Sequence, residues 1–229
     1  MTGKIMRFKF GKIGVYKYLS HLDIINIVIR AFRRAGIKVK YTEGFNPKPK
    51  ITFGPPIPLG VESLAEYADA NVICDVTLEE FLEAMNRELE GRIVISGARE
   101  VPPGVKSLMS QVDIVEYAIE VDNGSNDGET LRKNILQISR EAGMEDSIYD
   151  IKIKKAGSGN RSSMLVLYGY TKTLKDRNES VFKFRNFNER LKCILEANGM
   201  KIVSVLKKEL FVLREGKKLT PFEVLGFYV

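Results

Sequence analysis

Two passes through the order strand, helix, strand, strand, helix, strand predict an α+β fold of two tandem ferredoxin-like (βαββαβ) domains with antiparallel sheets. Three observations carry this. Apolar residues repeat with period two and period 3.6 by turns along the chain. A Pro102-Pro103-Gly104 break falls near the middle of 229 residues, a length that suits two domains of common size. Right-handed crossovers then place both helices of a unit on one face of its sheet. The domains expected are 1–104, with a Pro/Gly-rich loop at 42–63, and 105–229, with a C-terminal extension.

In the first half, residues 4–13 alternate as a strand with Met6, Phe8 and Phe10 on one face and Lys9 on the other. Ser20 and Asp23 give an S-x-x-D capping signature for a helix over about 20–35, with Leu22, Ile25, Val28, Ile29 and Phe32 as its core face. Arg30, Arg33 and Arg34 crowd its last turn, where cations suit the dipole, and Gly36 stops it. Residues 37–41 alternate as a second strand, 50–53 form a short one, and 66–76 form the next. Thr77 caps a helix to about residue 90, facing the core with Phe81, Leu82, Met85 and Leu89, and 92–98 closes the unit. The second half reads as strands at 113–121, 148–154, 163–171 and 201–213. Its helices span 129–142 (Leu131, Ile135, Leu136, Ile138) and about 184–198 (Phe187, Leu191, Ile194, Leu195). Loops are expected at 122–128, 156–162 and 172–180, and the tail at 217–225 adds a turn and a short helical hook.

Charge is segregated. Residues 1–60 carry 12 Lys/Arg against 2 Asp/Glu, residues 61–130 carry 4 against 16, and residues 131–229 carry 20 against 11. Such a pattern points to one surface for a polyanion and a separate acidic flank at 62–90 for a protein partner. No apolar run approaches the roughly 20 residues of a membrane span, and the first residues lack a signal-like apolar core, so the cytoplasm is expected and no membrane. Cys74 and Cys193 lie far apart in apolar surroundings and read as inert core thiols. With His21 the only histidine, no metal-ligand spacing exists, and neither metal nor cofactor is expected.

The candidate binding residues are Arg30, Arg33, Arg34, Lys38, Lys40, Lys48 and Lys50, with Phe45 and Asn46 in the Gly44-Phe45-Asn46-Pro47-Lys48-Pro49 loop. Cations track phosphates, and Phe45 and Tyr41 offer faces on which unpaired bases stack. His21, at the start of the helix where the dipole disfavours an imidazolium, is the weak catalytic candidate; a ring simply packed at the helix start fits it as well. No carboxylate pair, nucleophile–base pair or P-loop emerges, so catalysis by the chain alone finds little support.

Four blocks carry a resemblance: SHLD at 20–23, RAFRRAG at 30–36, GFNPKP at 44–49 and PLGVES at 58–63, which include Ser20, His21, Asp23, Gly44, Pro47, Pro49, Gly60, Glu62 and Ser63. The sequence resembles the uncharacterised radical-SAM-associated (radical-SAM-linked) bacterial protein family. That resemblance covers about the first 120 residues, and it returns in Thr220-Pro221-Phe222-Glu223. It implies a radical SAM protein as partner, since members are encoded beside one or fused to it, and genes for ribonuclease G and ribosomal proteins nearby point to RNA. Lys48 stands where many relatives carry histidine, which removes a second imidazole. The resulting expectation is an accessory protein of a radical SAM enzyme that binds structured RNA, rRNA or tRNA, through the basic helix and the GFNPKP loop. Two other classes stay open: a metal-independent endoribonuclease like the RAMP proteins, with His21 acting on a 2′-hydroxyl, and a protein-binding adaptor.

Overall fold

The computed structural model describes residues 3–124, 128–141, 147–155, 162–171 and 184–228. The fold is mixed α+β with mostly antiparallel strand pairing. The chain divides into two compact units, Met1–Val112 with Leu210–Val229, and Asp113–Glu209.

The first unit runs β1 (Lys4–Lys12), α1 (His21–Arg34), β2 (Ile51–Phe53), β3 (Glu62–Val72), α2 (Leu78–Leu89), β4 (Val94–Val101) and the single turn α3 (Leu108–Gln111). Its strands lie in the order β4-β1-β3, with β2 on β3, and each of these pairs is antiparallel. The core follows from the alternation of β1. Met6, Phe8 and Phe10 meet Ile24, Val28, Ala31 and Phe32 of α1 and Phe81, Met85 and Leu89 of α2. Phe8, Phe32 and Phe81 pack as a triangle of tilted rings 5.7–6.0 Å apart.

The opposite face of β1 is covered at its middle, between exposed Ile5 and half-buried Lys9. Arg7 is wholly buried, donating from Nε and Nη2 to the two carboxylate oxygens of Asp69 at 2.8 and 2.9 Å and from Nη1 to the carbonyl of Pro221 at 2.9 Å. Phe222 lies edge-on to Tyr67, and Val224 and Leu225 are buried in the 3-10 turn Glu223–Tyr228. The tail therefore groups with the first unit because it covers this second face.

The second unit holds β5 (Ile114–Asp122), α4 (Gly128–Glu141), β6 (Ile148–Lys155), β7 (Ser162–Tyr170), α5 (Phe184–Ala197) and β8 (Lys201–Arg214), whose last residues belong to the first unit. The short β9 (Lys217–Leu219) returns on the end of β8. The strand order is β8-β5-β7-β6. Counted within each unit, the strand order reads fourth, first, third, second. Leu131, Ile135, Phe187, Leu191 and Leu195 are buried as the helical spacing requires. The expected loops at 156–162 and 172–180 fall, but for Ser162, outside the described residues, as do 125–127 of the loop at 122–128.

Four sequence expectations are corrected. Residues 37–41 make no strand, only isolated bridges at Val39–Val72 and Tyr41–Pro49, because their backbone partners switch from the end of β3 to residues 48–50. β3 lies four residues earlier than expected and β4 runs three residues later, since both end where their pairing with β1 ends, at Lys4↔Val72 and Ile5↔Val101. Leu22 is 65% exposed, being about 200° around the helix from buried Ile24. Cys193 is exposed and so is not a core thiol, while half-buried Cys74 packs against the core of the first unit.

Candidate nucleic-acid interface

The motif-dense stretch 18–63 presents two different surfaces at the two ends of α1, about 20 Å apart for a helix of 14 residues. At the N-terminal end the motif residues hold backbone. The 3-10 turn Gly14–Tyr18 is fixed by Glu62, whose carboxylate accepts from the Gly14 N–H at 2.9 Å, and by the Gly60 N–H, which donates to the Lys17 carbonyl at 3.0 Å. Gly60 has φ +82°, a left-handed value that favours glycine. Buried Lys12 donates from Nζ to the carbonyls of Lys17 and Leu19, both at 3.1 Å. Ser63 donates from its hydroxyl to the Glu66 carboxylate at 2.7 Å and accepts from the Ala65 N–H.

Ser20 and Asp23 complete the capping box: the Asp23 N–H donates to Ser20 Oγ at 3.2 Å, and the Ser20 N–H donates to Asp23 Oδ2 at 2.9 Å. The Ser20 hydroxyl, and after it the Ser20 N–H, holds the Asp23 carboxyl below the usual aspartate range. His21 is half-buried, its ring edge-on to Phe53 at 5.7 Å. Val15, Tyr18, Leu22 and Leu59 surround this end as exposed apolar side chains.

At the C-terminal end the three arginines do not act together. Arg30 donates from Nε to its own helix, at the Asn26 carbonyl, 3.2 Å away. Arg34 turns to α2, pairing through Nε with Glu88 at 3.0 Å and donating to the Glu88 carbonyl. Only Arg33 is left exposed without a polar partner among the described residues. Beyond Gly36 the backbone builds a two-armed ribbon. The Lys40 N–H donates to Asn71, the Lys50 N–H to Lys40 and the Thr42 N–H to Lys48, at 2.8, 2.7 and 2.8 Å, while the Lys48 N–H donates to Thr42 Oγ1. The tip is 43–47. Gly44 there has φ +122°, and Phe45 is fully exposed, with Asn46 and Pro47 exposed beside it. Lys38, Lys40 and Lys48 are exposed and Lys50 half-buried, and among the described residues none of the four ammonium groups has a polar partner. A cleft of about 490 Å³ opens between α1 and the base of the ribbon, lined by Phe32, Arg33, Lys38, Tyr41, Ile51 and Ile73 among others.

Residues 6–181 match the family described as an uncharacterized protein conserved in bacteria, DUF2344. The chain belongs to that family. No curated protein matches this DUF2344 chain. Among solved structures it is similar to an unknown protein from Galdieria sulphuraria, at 14% identity over 93% of this chain and 100% of that one, with a TM-score of 0.28. It is also similar to a chain of a Cbf5-Nop10-Gar1 complex, at 8% identity over 97% of this chain and 54% of that one (TM-score 0.43). A third is a chain of an archaeal box H/ACA sRNP Nop10-Cbf5 complex, at 10% identity over 88% and 46% (TM-score 0.41). This chain spans about half the length of the two chains from the Cbf5 complexes. Likenesses of this size carry no functional inference.

The DUF2344 chain thus gathers cations with no polar partner among the described residues beside an exposed aromatic at one end of α1, an arrangement that can hold phosphates and stack a base. Among the described residues no three His, Cys, Asp or Glu side chains converge as a metal ion needs. Sequence reasoning missed the cleft. Ile37, Ile51 and Ile73 fall within the strands expected at 37–41, 50–53 and 66–76, and nothing in their spacing tells a filled wall from an open one.

Proposed function

We propose that this protein binds RNA through Arg33, Lys38, Lys40, Lys48, Lys50 and Phe45, as a non-enzymatic, cytoplasmic accessory to a radical SAM enzyme. Phe45 carries the reading. A phenylalanine left wholly in water forgoes about 1.5–3 kcal/mol of burial, and here it is held at the tip of a hydrogen-bonded ribbon rather than folded inward. With lysines beside it on both arms, a nucleic-acid base is the cover that fits both the ring and the charge. The radical SAM partner rests on the SHLD, RAFRRAG, GFNPKP and PLGVES motifs, and the repeated strand order supports reading each unit as ferredoxin-like. Titrating fluorescent rRNA and tRNA fragments with wild type and with Phe45→Ala tests the proposal. Weaker binding by Phe45→Ala supports it, and equal binding removes it.

A second reading, a protein-binding adaptor, is favoured by a different observation. Val15, Tyr18, Leu22 and Leu59 are 64–74% exposed around the N-terminal end of α1, where an apolar face of this kind marks a protein contact. Here the partner is the radical SAM protein itself. Co-purification after nuclease digestion, compared with Leu22→Asp, separates this from capture through RNA.

A further inference from the structure

We infer that the cleft between α1 and the ribbon receives one unpaired nucleotide of the bound RNA, with its base between the apolar walls and its phosphate on Arg33 and Lys38. This rests on the RNA reading above and adds to it which structural class of RNA is recognised. The walls come from the chain's own pattern. Phe32, buried against Phe8 and Phe81, also borders the cleft from α1, while Ile51 of β2 and Ile73 just after β3 stand half-buried along it. At about 490 Å³ the space lies within the range of small-ligand sites, and it is lined mainly by apolar groups with few polar ones, as such sites are.

The polar groups decide the ligand's charge. Arg33 and Lys38 line the cleft, and among the described residues neither has a polar partner and no carboxylate lines it. A ligand with an apolar, flat body and an anionic group matches both features, and a nucleotide is such a ligand. Continuity with the ribbon favours one that is part of RNA. Tyr41 and Pro49 bridge to each other at the base of the ribbon, and both line the cleft. From there to Phe45 is four residues, at most about 13 Å of chain, within the span of single-strand sites of about 4 nucleotides. A strand that stacks a base on Phe45 therefore passes the mouth of the cleft. A fully paired stem cannot offer its base there, so the protein should select bulges or loops.

The test uses the full chain and three RNA hairpins: one with a single bulged nucleotide, one with an abasic ribose at the bulge, and one fully paired. Free nucleoside monophosphates and an acidic amphipathic peptide serve as further probes. Two variants fill the cleft, Ile73→Phe and, on the α1 side that Ile29 also lines, Ile29→Phe, and thermal melting of each shows that it is folded. Wild type should prefer the bulged over the abasic hairpin at least about fivefold. Either folded variant should lose that preference while keeping its affinity for the abasic hairpin. Equal wild-type binding to both hairpins overturns the pocket and leaves the RNA reading standing. Absence of binding to any RNA at low salt overturns both. Tight binding of a free monophosphate without a bulge preference, or of the peptide in a manner that Ile73→Phe abolishes, assigns the cleft to another ligand and overturns it as well.

Discussion

The two ends of α1 use one motif-dense stretch in opposite ways. At the N-terminal end Ser20, Asp23, Gly60, Glu62 and Ser63 are engaged with backbone or with each other, so these motif positions serve the shape of a turn. At the C-terminal end Arg33, Lys38, Lys40, Lys48 and Phe45 keep their side chains in water and have no polar partner among the described residues. Motif density alone therefore does not mark a binding site. What separates the two ends is whether the polar groups are already satisfied within the fold, since a satisfied group has little left to offer a ligand.

That contrast can be broken by changes that ought to affect one end only. The largest effect is expected from Lys12→Ala. It strands the part-buried carbonyls of Lys17 and Leu19 and should cost about 1–3 kcal/mol of stability in denaturant unfolding, with RNA affinity of the folded protein unchanged. Phe45→Ala is the mirror case. Stability should stay within about 0.5 kcal/mol, because the ring touches nothing it stabilises, while RNA affinity falls by about 1–3 kcal/mol.

Ser20→Ala should cost about 1 kcal/mol through loss of the cap and leave RNA binding alone. The cap also has a pH signature. The folded Asp23 carboxyl lies below its unfolded value, so its contribution is present above about pH 3.9 and is lost as pH falls through the folded value. Asp23→Asn should accordingly lower Tm near neutrality, and the gap from wild type should close in acid. The smallest effect is expected of Arg34→Ala, about 0.2–1 kcal/mol of stability from its half-exposed pair with Glu88. RNA affinity should hardly move, because that guanidinium already has a partner. A large loss of RNA binding in Arg34→Ala would erase the distinction between engaged and unengaged cations.

Much of this fold was legible because periodicity reports which side of an element is buried. The helices beginning at Ser20 and Thr77 start where their capping residues stand, and Phe81, Leu131, Phe187 and Leu191 face inward as spaced. Strand ends were less legible, because they depend on where a partner strand stops, as at Lys4↔Val72. Arg7 was hidden for a related reason. Alternation places it on the face of Lys9, away from the core, and only the return of Pro221 and Phe222, more than 200 residues later, covers it. The candidate site was half legible. The charge and Phe45 could be read directly, but Arg30, Arg33 and Arg34 looked like one cluster. Their separation depends on Asn26, one turn back on the same helix, and on Glu88, a neighbour in space that no local spacing announces.

The central claim is that the cationic ribbon, and not the apolar end of α1, meets RNA. Its most direct test is the salt dependence of RNA affinity for wild type and for Lys38→Ala/Lys40→Ala/Lys48→Ala/Lys50→Ala. If these lysines neutralise phosphates, the slope of log affinity against log salt becomes shallower by about 0.7 for each phosphate that is no longer neutralised, with an unchanged Tm. An identical slope in a folded quadruple variant would contradict the account and place any RNA contact elsewhere on the chain.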